Sequence, residues 1–248
     1  MAFKLPTRHT NSNPSLVVGR SVTSERIVEA FRHDVDKKRN KLVIAGTQLD
    51  NSVIDISWLP AAAETYKISS DPKDYILVDV PSVTVDIPNR NLQAFPYEEV
   101  SYFDPLYGQC VYQTFSHKPM HMDHDNKDPK KAKGVIFDSS LKFVPAYNIW
   151  KISTLVGQDR TKDTNLAKDV LSKKRNQWSM GALVENFICG VCGAIDTNVK
   201  RCDCGPKGTI VKGQLVFQAC CGTNFIELSN VGDPADISAS SDSMWELT

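Results

Sequence analysis

The chain has 248 residues, 41% of them hydrophobic and 23% charged, with 29 Lys and Arg balanced by 29 Asp and Glu. A chain of this size buries one sizeable core, or one core plus an appendage, and zero net charge lacks the basic excess that marks most nucleic-acid binders. No run reaches the ~18 apolar residues of a membrane-spanning helix, so neither nucleic acid nor membrane is expected as a partner.

The amino terminus, "MAFKLPTRHTNSNPS", lacks the continuous apolar stretch of a secretory signal. Residues 1–72 are expected to form an arm of unassigned role that carries one helix. That helix falls on 23–38, where Ile27, Phe31 and Val35 recur every four residues behind a Thr23 or Ser24 cap. "KLVIAG" (41–46) reads as a short buried strand ended by Gly46. From residue 73 the texture turns to β-type runs rich in branched and aromatic residues: 75–80, 82–87, 109–115, 134–139 and 148–156. The basic runs "DPKKAKG" (128–134) and "SKKRN" (172–176) read as solvated surface. A helix is expected over 163–176, capped by Asp163 or Thr164, with Leu166, Ala167, Val170 and Leu171 as its apolar stripe. The strand carrying Ser179 follows, then strands at 209–219 and 224–231, and a Ser/Asp-rich flexible tail over 237–248. Many strands and few helices predict an α+β chain built on a small, mostly antiparallel, closed or nearly closed β-barrel with helices outside it.

A serine needs a base to become a nucleophile. Ser179 leaves a helix for a strand, and Gly181 beside it allows close approach of a substrate backbone. Gln177 rules out the Gly-x-Ser-x-Gly elbow of an α/β-hydrolase. Three of the five histidines, His117, His121 and His124, crowd into eight residues. This spacing suits either a metal ligand set or a general base.

Four motifs in order resemble the tailed-phage prohead (head-maturation) serine proteases, the clan of the herpesvirus assemblins. They are "DHDN" with His124, "GVIFD" (134–138), "SMG" with Ser179 fifty-five positions after His124, and "ELSNVGDPA" (227–235). The resemblance covers residues 75–240. It implies an assemblin-like protease domain over 73–236, with Ser179 as nucleophile and His124 as base, His121 being the alternative. Glu227 becomes the third member by sequence context. Asp123 and Asp125 flank His124 but would face away from it on a strand. The implied substrates are phage scaffold, major capsid and other prohead proteins, and the protease itself, cut within its Ser/Ala tail. The implied setting is a homo-oligomer inside the assembling prohead, in the host cytoplasm.

Six of the seven cysteines lie between Cys189 and Cys221. In a reducing compartment such a cluster points to metal before disulfide. Cys189, Cys192, Cys202 and Cys204 form Cys-x2-Cys-x9-Cys-x-Cys, a thiolate set suited to structural Zn2+ within an insertion over 189–221. Cys220 or Cys221 could replace Cys204, which stands where some members of the resembled family place histidine. Two other functions fit the same residues. One is an inactive, zinc-ribbon-containing scaffold protein of the virion; the other is a metal hydrolase built on the histidine cluster.

Overall fold

A computed structural model describes residues 41–43, 53–105, 107–196 and 202–246. The chain divides into two compact units, Met1–Ser57 and Trp58–Thr248. In the first, strand Lys41–Val43 pairs antiparallel with Val53–Asp55; the helix expected over 23–38 lies outside the described residues. The second unit starts some fifteen residues earlier than the boundary at 73. Helix α1 (Leu59–Tyr66) buries Leu59 and Ala63, and Trp58 stacks on His117 with ring centroids 4.2 Å apart.

The fold of this unit is α+β. Its long strands are β1 (Tyr75–Thr84), β2 (Pro119–Met122), β3 (Gly134–Val144), β4 (Ile149–Asp159), β5 (Gln177–Cys189), β6 (Gln218–Val231) and β7 (Ser243–Glu246). Helix α2 (Thr164–Leu171) starts where the Asp163 carboxylate accepts the N–H of Leu166, and it buries Leu166, Ala167 and Val170. Among the described residues these strands form a nine-stranded sheet. Its path runs from the short strand Ile195–Asp196 through β5, β6, β2, β3, β4 and β1 to β7, with Gln93–Ala94 attached to β6. Pairing is antiparallel except where β2 and Gln93–Ala94 run parallel to β6. Among the described residues the path is open, so the expected closed or nearly closed barrel is corrected to an open sheet.

The core covers both faces of the sheet: the consecutive residues Tyr75, Ile76, Leu77 and Val78 alternate sides, and they, Ile136, Val156, Phe225 and Leu228 are each at most 3% exposed. "QCVYQTF" is not the expected strand. After a two-residue strand at Gln109–Cys110 it winds into a 3-10 turn over Val111–Phe115, because Gln113 Oε1 accepts the Cys110 N–H at 2.8 Å. That turn stacks Phe115 on Phe225 and places Thr114 Oγ1 2.9 Å from the Phe225 N–H. The runs 75–80 and 82–87 are one strand to Thr84, with a register shift between Pro81 and Val83. Proline cannot donate to the ladder, and a bulge is where a sheet tolerates it.

The tail expected over 237–248 is instead part of the fold as far as Glu246. Ala239 O accepts the Trp178 N–H, Ser241 N–H binds Asn176 O, and Ser241 Oγ accepts the Trp178 indole N–H at 2.8 Å. β7 then pairs with β1. The reason is that a buried indole N–H and an open strand edge both need partners. Main-chain groups and a serine hydroxyl supply them without apolar side chains.

Candidate active site

The β5–β6 ladder places Ser179 opposite Ser229 and Gly181 opposite Glu227, with a register shift just after Gly181. Residues two apart on a strand share a face, so Ser179, Gly181, Glu227 and Ser229 lie on one side. A Cβ built on Gly181 would stand 2.5 Å from Glu227 Oε1 and 2.8 Å from its Cγ. The glycine therefore makes room for the carboxylate. Gly181→Ala should displace Glu227, destabilise the fold by about 1–3 kcal/mol and disturb whatever the carboxylate holds. A melting curve unchanged from wild type would contradict this.

What Glu227 holds is His124. Its Nδ1 lies 2.7 Å from Glu227 Oε1, while Glu227 Oε2 accepts a 2.6 Å hydrogen bond from Ser229 Oγ. Ser229 Oγ in turn accepts the His124 N–H at 3.2 Å. Glu227 is 1% exposed and the His124 side chain 42%, so a buried acid orients an imidazole that reaches the surface. The Glu227 hydrogen bond, against burial and with help from the charges of Glu227 and Asp123, raises the His124 pKa above its ordinary 6.5. His124 does not stand on a strand: β2 ends at Met122, and Asp123 and His124 adopt left-handed φ of +50° and +57°. The flanking acids are engaged elsewhere, Asp123 with Arg175 and Asp125 with Lys131.

His124 and Ser179 line one cleft of about 340 Å³, together with Asn89, Gln93, Met180 and Leu183. Among the described residues neither Ser179 Oγ nor His124 Nε2 makes a hydrogen bond. β5 presents a free edge there: between Ser179 and Asn186 no described strand pairs its outer side, Ile195–Asp196 covering only Phe187 and Ile188.

The other histidines separate. His121 is on β2 in register with Ser229 and 1% exposed, its Nδ1 unpartnered, and burial lowers its pKa. His117 stacks on Trp58. Among the described residues the three do not form a metal-ligating group.

The four expected cysteines do come together. The sulfurs of Cys189, Cys192, Cys202 and Cys204 lie within 4.8 Å of one another and could hold a metal ion. A tetrahedral site with Zn–S of ~2.3 Å has sulfurs about 3.8 Å apart, so a small contraction closes it. Burial raises the Cys189 thiol, but the backbone N–H groups of Cys192 and Val191 and the neighbouring thiols outweigh it and bring it to about 7. The hydrogen bond with Cys192 pushes Cys204 up to about 12. Cys204 completes the set, whereas Cys220 is buried and lines the cleft.

Ser229, Asn230 and Arg175 were not singled out in the sequence. The Glu-x-Ser spacing on one strand face was the available signal for Ser229. Compared with protein-family models, curated proteins and solved structures, the chain matches none.

Proposed function

We propose that this chain is a serine endopeptidase of the tailed-phage prohead type, with an assemblin-like arrangement of its sheet. The observation that carries the reading is the 2.7 Å contact between His124 Nδ1 and buried Glu227: Glu227 shares a sheet face with Ser179, and His124 lines the same cleft as Ser179. An acid on Nδ1 fixes the tautomer that leaves the Nε2 lone pair free to act as base. His124 Nε2 takes the Ser179 Oγ proton as Oγ bonds to the substrate carbonyl carbon. The proton passes to the amine as the peptide C–N bond breaks. Water, deprotonated by the same imidazole, then cleaves the acyl ester and returns the proton to Ser179. Glu227 stabilises the imidazolium in both halves.

The substrate lies extended along the free edge of β5. On this reading the substrates are scaffold, major capsid and other prohead proteins, and the chain itself, within a homo-oligomer in the prohead of an infected cell. The four cysteines hold a structural zinc. Cys189 lies ten positions beyond Ser179 on the same strand, about 33 Å at ~3.3 Å per residue, and four thiolates leave no open position for catalysis.

The test is cleavage of phage scaffold protein, followed on a gel, by wild type and Ser179→Ala. The variant should fold and fail to cut; equal cutting by both would reject Ser179. A second reading, an inactive zinc-ribbon scaffold protein, draws on one observation, that among the described residues Ser179 Oγ makes no hydrogen bond. Against it, catalytic hydrogen bonds are often long in the free enzyme and tighten with substrate.

A further inference from the structure

The Asp123–His124 turn carries the imidazole out of β2 and over Glu227. Both residues are left-handed, a conformation that residues with a Cβ hold only where the surroundings impose it. The surroundings here centre on one guanidinium. Arg175 Nε donates to Asn230 Oδ1 at 2.8 Å, and its Nη2 donates to Asp123 Oδ1 at 2.7 Å and to Asn230 O at 3.3 Å. Asn230 O also accepts the Asp123 N–H at 3.0 Å. Asn230 is fully buried, and its Nδ2 donates to Arg175 O and Gln177 O, each at 3.3 Å. One planar fork thus ties the His124 turn to β6 and to the chain entering β5, four residues before Ser179.

We propose that Arg175, acting through Asp123 and Asn230, is a positioning residue that locks the Asp123–His124 turn and so aims the His124 imidazole at Glu227 and the cleft. This rests on the serine-protease reading of the site. An isolated surface pair with an acid as exposed as Asp123, at 54%, would matter little. This one spans three segments, and its geometry needs two donors at a fixed angle, which lysine lacks. The arrangement also keeps Asp123 from competing with Glu227 for the imidazole. The charged or titratable groups facing His124 are Glu227 from β6, His121 from β2 and Asp123 of its own turn.

The test compares Arg175→Met, Arg175→Lys, Asp123→Asn and the double variant Arg175→Met/Asp123→Asn. Two readouts are used: steady-state cleavage, and the downfield Nδ1–H proton resonance of His124 at low temperature, assigned by its loss in His124→Ala. Misaiming a catalytic group by an ångström costs about 100-fold. Arg175→Met should therefore lower kcat by about 10- to 100-fold with KM little changed, and should shift or lose the resonance. Arg175→Lys should recover only part. Asp123→Asn, whose side chain still tolerates the left-handed turn, should move both readouts the same way and carries the test if Arg175→Met does not fold. The double variant should be no slower than the slower single one. Wild-type kcat and an unmoved resonance in Arg175→Met, or losses that multiply in the double variant, would overturn the proposal. Failure of wild type to cleave protein or to react at Ser179 with a fluorophosphonate probe would reject the protease reading instead. The resonance would still decide for or against the Arg175 lock.

Discussion

His124→Ala is expected to lower cleavage by about 10⁴-fold or more and to leave the fold nearly as stable as wild type. The imidazole is substantially exposed, so its loss removes little buried area, but it removes the group that links Glu227 to the cleft lining. His121→Ala should do the reverse. His121 is 1% exposed, so truncation opens a cavity and costs about 1–3 kcal/mol, while the Ser179, His124 and Glu227 chemistry survives. Gel-based cleavage and thermal melting of both variants separate the two roles. Loss of cleavage in His121→Ala alone would reverse the assignment. The pH dependence follows from the Glu227 bond, which raises the His124 pKa. A base must be unprotonated, so cleavage should rise with pH through a midpoint above the ordinary histidine value of 6.5, and Glu227→Gln should move that midpoint down. The sign for stability is opposite. Folding favours the protonated imidazole, so this contribution is complete below the unfolded pKa and fades as pH rises through the folded one.

Removing the metal should have the second large effect, on stability rather than on chemistry. Zinc bound by four thiolates appears as folding free energy, roughly 10–16 kcal/mol in isolated finger peptides. If about 5 kcal/mol of that reaches the whole fold, the melting temperature falls by about 10–20 °C on losing it. Purified protein should contain about one zinc per chain, since the four close sulfurs could supply one tetrahedral site. The double variant Cys189→Ser with Cys192→Ser should contain none and melt earlier. Cys189 ends the strand that carries Ser179 and pairs with Gln218. Chelation should therefore slow cleavage only as far as it unfolds the protein or loosens that ladder. Abrupt loss of activity with an unchanged melting curve would mean a catalytic metal and would sink the serine mechanism.

Much of this was legible from local signals. The α2 cap at Asp163, the strands over 134–139 and 148–156, and the Cys-x2-Cys and Cys-x-Cys pairs are written in neighbouring residues, where propensity, capping and ligand spacing act. That Ser179 and His124 line one cleft and that His124 meets Glu227 was legible only as motif order. Other features depended on what lay across the fold. The 109–115 run satisfies strand propensity, yet becomes a 3-10 turn under β6, where burial of Phe115 against Phe225 outweighs that preference. The Ser/Asp-rich carboxyl end has few apolar residues to signal order and is held by main-chain bonds to β1 and β5.

By itself, then, the sequence determined the α+β class, the cysteine quartet and a short set of candidate bases and acids. Tertiary structure decided which histidine meets which carboxylate. His124 and Glu227 are 103 positions apart, and their contact depends on the β5–β6 register, the parallel seating of β2 on β6 and two left-handed residues at the strand end. A register slip of one residue would turn Glu227 to the opposite face. Such long-range alignment is set by the summed packing of the sheet, and no single stretch of chain encodes it.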